Sequence, residues 1–268
     1  MTIQQYIVDA FANQVFQGNQ AAICCTYEQL NEALMQSIAI ENNFSETAFL
    51  VPLEPIASDG DALRYSLRWF TPGGEIDLCG HATLASAFVV SNFLNPGAKQ
   101  VTFVTQKSGE LPILMNENTI TMNMPAYHPH QIEVTDAMER AFGVRPTEAW
   151  LDRDLICFLP TEDDVRKANP DDTILLELEG QGIAITAKAT DYDFVSRFFA
   201  PELAVHEDPV TGSAHCALAP LWADKLNKEE FDAFQASSRG GELHCVVKGD
   251  RVMISGKAVL YAKSELFV

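Results

Sequence analysis

The sequence has 268 residues, 47% of them hydrophobic, with 37 acidic against 18 basic residues and a formal net charge of -19. Such a chain can bury a substantial core in one domain or two, and its charge repels nucleic-acid backbones and anionic membranes where no basic patch overrides it. Lys and Arg are scattered and the densest charged run is Glu162-Asp163-Asp164, so neither kind of partner is expected.

In chain order, Met1 to Asp9 reads as a strand entering the fold and lacks the basic n-region of a signal peptide. Thr26 suits a helix N-cap, with Gln29 at the capping-box position. Leu30, Leu34 and Ile38 form the stripe of that helix, which ends near Asn43. Thr47 to Val51 follows as a strand, and Leu63 to Phe70 alternates as another. Ala82 to Phe93 is small and apolar on nearly every face, the pattern of a helix buried all round. Its apolar run, Ala82 to Val90, falls far short of the roughly 20 residues of a membrane span. Pro125-Ala126-Tyr127-His128-Pro129 interrupts the pattern, which predicts halves of 1–126 and 127–268. Ala214 to Leu226 reads as a second buried helix with a charged end at Asp224-Lys225. The cysteines, at 24, 25, 79, 157, 216 and 245, form no CxxC pair and read as reduced thiols of a cytosolic protein.

The two halves repeat one another. Arg68-Trp69-Phe70-Thr71-Pro72 returns as Arg197-Phe198-Phe199-Ala200-Pro201, 129 residues later. Gly80-His81-Ala82 faces Gly212-Ser213-Ala214 at an offset of 132, and Gly109-Glu110-Leu111 faces Gly241-Glu242-Leu243 in the same register. The turn Asn116-Glu117-Asn118 matches Lys248-Gly249-Asp250. Two repeats are too few for a solenoid. Two facing domains, each a sheet wrapped around one buried helix, satisfy the pattern.

Both buried helices begin at glycine, Gly80 and Gly212, and an aspartate precedes each, Asp77 and Asp208. A helix start offers free N–H groups and a positive dipole end that can hold a carboxylate. If the repeat brings the two starts together, His81 and Ser213 rim an anion pocket. The plainer alternative is that Asp77, Thr211 and Ser213 cap helices. Glu46 lies between a helix and an apolar strand. Desolvation there raises a carboxyl pKa into the range of a general acid or base; a strand-edge glutamate in water is the equal alternative.

Four strings, in order, resemble the PhzF family of phenazine-biosynthesis-like proteins. They are Val8-Asp9-Ala10-Phe11 with Phe16-Gln17-Gly18-Asn19-Gln20-Ala21-Ala22; Ser45-Glu46-Thr47-Ala48-Phe49; Leu67-Arg68-Trp69-Phe70-Thr71-Pro72 with Cys79-Gly80-His81-Ala82-Thr83; and Asp208-Pro209-Val210-Thr211-Gly212-Ser213-Ala214. The resemblance implies an α+β fold of two pseudo-symmetric diaminopimelate-epimerase-like domains, each a barrel-like sheet around a central helix. It implies isomerisation by proton transfer, as the founding member performs on a dihydro-3-hydroxyanthranilate, with no metal or organic cofactor. Carried over by motif, Glu46 shuttles the proton while His81 and Asp208 position and polarise the substrate. Gly80, Gly212 and Ser213 hold the carboxylate of a small substrate, and Asn19 completes the cleft. The resemblance also suggests a homodimer.

Related epimerases and racemases use a thiol on each face of the substrate. Cys79 stands near one such place, but its partner in the repeat is Thr211, whose hydroxyl is too weak an acid. No metal is expected, because His128-Pro129-His130 has no other ligand at suitable spacing. A racemase of a small amino or hydroxy acid using Cys79, and a binding or scaffold protein that keeps the fold, stand as alternatives to the isomerase.

Overall fold

Alternating apolar residues rich in Val, Ile, Phe and Thr favour half-buried strands, and strands dominate the computed structural model, which describes residues 1–53, 63–203 and 205–268. The chain divides into two units, Met1–Asn123 with Ser255–Val268, and Met124–Ile254. The last strand therefore counts with the first unit, a return that the division at 126/127 did not include.

In the first unit β1 (Thr2–Ala10) runs antiparallel to β2 (Asn19–Cys25). After α1 (Glu32–Asn42), β3 (Glu46–Pro52) joins β2 in parallel, and β4 (Leu63–Thr71) pairs antiparallel to β3. The short β5 (Gly74–Ile76) folds back on β4. Then α2 (Gly80–Val89) crosses to β6 (Gln100–Val104), which is parallel to β4. β7 (Glu110–Asn116) and β8 (Thr119–Pro125) complete an antiparallel meander. The helix α2 packs against β1, β2 and β3 and is buried on nearly every face, as its small apolar sequence dictates. Its buried hydroxyls are satisfied locally: Thr83 Oγ1 donates to the Cys79 carbonyl and Ser86 Oγ to that of Ala82. A π-helical turn, Val90–Leu94, carries the chain out of it.

The first helix begins later than its sequence suggests. Asn31, not Thr26, is its N-cap, accepting the Leu34 N–H at 2.8 Å. The Thr26 N–H is held by the Leu50 carbonyl at 3.0 Å, so sheet pairing keeps that residue extended. Met35, Ile38 and Ala39 carry the buried face.

In the second unit β9 (His130–Ile132) pairs with β10 (Glu148–Leu151) across α3 (Asp136–Phe142). β10 turns antiparallel into β11 (Leu155–Phe158). Two short helices, α4 (Glu162–Lys167) and α5 (Asp172–Leu175), precede β12 (Ile183–Lys188), parallel to β11. β13 (Phe194–Ala200) is antiparallel to β12 and receives β14 (Val205–Asp208). The long α6 (Gly212–Leu226) leads to β15 (Glu230–Gln235), which is parallel to β13. β16 (Gly241–Lys248) pairs antiparallel to β15, and β17 (Arg251–Gly256) follows. Finally β18 (Ala258–Phe267) runs antiparallel to β1 along its whole length.

From β1 to β7 and from β10 to β16 the succession of antiparallel and parallel pairings is the same. The repeated Arg-aromatic strings carry the same contact in each unit. Arg68 grips Glu75 through Nε (2.6 Å) and Nη2 (2.7 Å), and Arg197 grips Glu207 likewise (2.6 and 2.9 Å). Each guanidinium also lies 5.1 Å from the ring two residues on, Phe70 or Phe199. Such forks suit a mostly buried arginine, because both donors reach one planar carboxylate. The prolines differ. Pro220 lies inside α6 and cannot donate to the carbonyl four residues earlier, and the Tyr127 N–H takes that Cys216 carbonyl at 2.9 Å.

Candidate active site

The first cluster starts at a turn. Gly18 adopts φ +65, and a Cβ there would lie 2.0 Å from the Ala10 carbonyl, so only glycine fits. The turn delivers Asn19, 1% exposed, to the start of β2. The parallel register of β2 and β3 sets Ala21 opposite Glu46, the first residue of its strand. Cys79 is the N-cap of α2 and makes no capping hydrogen bond through its side chain. Gly80 and His81 follow in the first helical turn, both buried.

These elements converge on the His81 ring. Glu46 Oε2 lies 2.9 Å from Nε2, close but off-axis for a conventional hydrogen bond, with the two side chains 14% and 5% exposed. On the opposite edge the Asn19 carboxamide nitrogen is 3.1 Å from Nδ1 and Cys79 Sγ is 3.4 Å away. Burial opposes charge on the ring, but Cys79 and Glu46 outweigh it and hold the imidazole well above its ordinary pKa. Burial also pushes the Cys79 thiol up, with Glu46 adding to the rise. A protonated ring donates from Nδ1, so its charge is coupled to which end of the Asn19 amide faces it.

Glu46, Cys79 and His81 offer ligand atoms within 4.8 Å of one another, the spacing of a metal-binding group. Glu46 faces Nε2 of the ring and Cys79 faces Nδ1. The same cluster sets a partly exposed carboxylate against a buried imidazole.

The second cluster lies at the start of α6. Asp208 ends β14, and Thr211 is the N-cap, again without a side-chain cap. Instead the Thr211 hydroxyl donates to Asp208 Oδ2 at 2.5 Å. Gly212 is buried, and Ser213 Oγ accepts from Arg153 Nη2 at 3.2 Å. Arg153 is paired with Asp154 and stands 5.5 Å from the Tyr127 ring. His215, fully buried, contacts the Thr211 carbonyl through Nδ1 at 2.9 Å, and burial brings its pKa down to about 4.

Asn19, Glu46, Gly80 and His81 thus share the first unit, and Asp208, Gly212 and Ser213 share the second. Asp77 caps nothing: it is exposed and pairs with Lys107 at 2.6 Å. Sequence reasoning passed over Arg153, His215 and Gln235. His215 repeats Thr83 at the offset of 132, a signal that is readable; Arg153, in the turn between β10 and β11, and Gln235, at the end of β15, leave none.

A family model described as phenazine biosynthesis-like protein, PhzC-PhzF, matches residues 8–264. An uncharacterized isomerase of Pseudomonas aeruginosa is 43% identical over 99% of both chains. The crystal structure of a PhzF-family phenazine biosynthesis protein from Enterococcus faecalis superposes over the whole of both chains with a TM-score of 0.93 and 46% identity. A hydroxyproline epimerase from Agrobacterium vitis, 10% identical, shares the fold at a TM-score of 0.62 over 99% of this chain and 91% of its own.

Proposed function

The chain belongs to the phenazine biosynthesis-like PhzC-PhzF family, and from that premise we propose that it is an isomerase of a small carboxylate, working by proton transfer at Glu46 without metal or organic cofactor. The observation that carries this reading is the 2.9 Å approach of Glu46 Oε2 to His81 Nε2. A carboxylate at that distance lies within proton-transfer reach, and its partial exposure lets a substrate carbon approach. Glu46 removes a proton from one carbon and returns it to another. His81 keeps Glu46 aimed and stabilises its ionised form before the proton is taken and after it is returned, Glu46 carrying the proton as a neutral acid between the two steps. Asp208 is the proposed polarising group, and Asn19, Gly80, Gly212 and Ser213 are the proposed substrate-binding residues. A homodimer in the cytoplasm is proposed on family grounds alone.

The test is proton NMR in D₂O with a panel of small cyclic and acyclic amino and hydroxy acids that includes dihydro-3-hydroxyanthranilate. Wild-type protein is expected to place deuterium in one of them. Glu46→Gln should reduce that rate by about 10³-fold or more while remaining folded, since loss of an acid–base catalyst typically removes about 10²–10⁴. A fully active Glu46→Gln sinks the assignment. Folded wild type that is silent on every compound shifts weight to a binding protein.

A second reading, a racemase using Cys79, draws on the 3.4 Å contact between its sulfur and His81 Nδ1. Undiminished turnover in Cys79→Ala removes it.

A further inference from the structure

The loop between β14 and α6 presents Asp208, and its backbone is held from the far end of β15. Gln235, the last residue of that strand, is wholly buried. Its amide oxygen accepts the Thr211 N–H at 2.8 Å, and its amide nitrogen donates to the Asp208 carbonyl at 2.8 Å. Ser237 Oγ donates to the next carbonyl, that of Pro209, at 2.8 Å.

A backbone N–H can only donate and a carbonyl can only accept, so the Gln235 amide has one possible orientation. The same amide nitrogen lies 3.1 Å from Thr211 Oγ1, which therefore receives a hydrogen. The threonine's own proton is then directed to Asp208 Oδ2, 2.5 Å away. Thus every proton in the chain from Gln235 through Thr211 to Asp208 has a defined direction.

We propose that Gln235 and Thr211 are positioning residues that hold Asp208 as an ionised acceptor, a role that rests on the reading of Asp208 as a substrate-polarising group. A carboxylate receiving an O–H donor is favoured in its charged form. Asp208 then accepts from its substrate rather than donating to it. This deepens the substrate class: a small carboxylate that also carries an amine or hydroxyl hydrogen for Asp208. It also gives Thr211 a task other than that of a missing thiol. The corresponding strand end in the first unit, Phe103-Val104, has no hydrogen-bonding side chain, so the clamp belongs to the second unit.

The test follows the Asp208 carboxyl carbon by ¹³C NMR in the full-length protein labelled at aspartate Cγ, with the resonance assigned by Asp208→Asn. Thr211→Val is expected to raise its titration midpoint by about one to two pH units, the equivalent of one hydrogen bond to a charged group. Thr211→Ser, which keeps the hydroxyl, is expected to leave the midpoint near the wild-type value. Gln235→Leu should raise the midpoint too and speed amide exchange at Thr211 by about tenfold or more, one net hydrogen bond. An unmoved midpoint in Thr211→Val overturns the proposal, and so does unchanged exchange in Gln235→Leu. Deuterium incorporation by Asp208→Asn equal to wild type overturns the link to turnover. That failure is distinguishable because it leaves the titration results as they were.

Discussion

A single histidine shows how far burial decides chemistry. His215 Nδ1 faces a carbonyl, so it carries the ring proton, and Nε2 is buried with no hydrogen-bond partner among the described residues. The ring stacks 5.9 Å from Phe194, where charge is poorly solvated. With a folded pKa of about 4 against 6.5 unfolded, the unfolded chain binds the extra proton first. Stability is therefore complete above pH 6.5 and is lost as pH falls toward 4. Between pH 7 and pH 5 this one group should remove about 2 kcal/mol. His215→Thr should flatten that part of the profile in urea unfolding at the two pH values, because Thr83 already serves the equivalent carbonyl in the first unit. An unchanged slope would move the acid sensitivity elsewhere. His81 runs the other way. Its raised pKa makes its contribution complete below the unfolded value and lost as pH rises through the folded one. The two buried histidines differ because His81 has Cys79 and Glu46 at its ring, whereas His215 has a backbone carbonyl.

Among the elements, the two central helices carry the most of what the sequence made readable. Their small apolar residues demand burial, and their glycine starts leave N–H groups uncapped by side chains. Pro220 is the instructive exception within them. By withholding an N–H it leaves the Cys216 carbonyl to Tyr127, and so docks the segment after β8 onto α6. Pro220→Ala restores a competing helix donor. The expected result is amide exchange at Tyr127 faster by about tenfold, one net hydrogen bond, with the exchange of α6 itself little changed. Protection at Tyr127 equal to wild type would mean that its hydrogen bond does not depend on the proline. The start of α1 was misplaced from sequence because Thr26 satisfies every local rule for a cap. A carbonyl in β3 claims its N–H instead, and a partner 24 residues away leaves no mark on local spacing.

For the molecule as a whole, the charge of -19 implies self-repulsion in the folded state. Screening should therefore stabilise it: raising sodium chloride from about 10 mM to physiological strength, where the Debye length is about 8 Å, is expected to lift Tm by a few degrees in calorimetry. A Tm that is flat or falling with salt would show that attractive pairs such as Arg68–Glu75 outweigh the net repulsion. The repeat, the burial of α2 and of most of α6, the motifs that carry Glu46, His81 and Asp208, and the family were present in the sequence, because periodicity and short motifs are local, whereas Arg153 and Gln235 lie outside those motifs. Only the tertiary structure decided that β18 returns to β1, that Cys79 and Glu46 take opposite edges of His81, and that Gln235 sets the protons around Asp208. Each of these is a hydrogen-bonding choice among groups far apart along the chain or directed in space, settled by which buried polar group has no other partner.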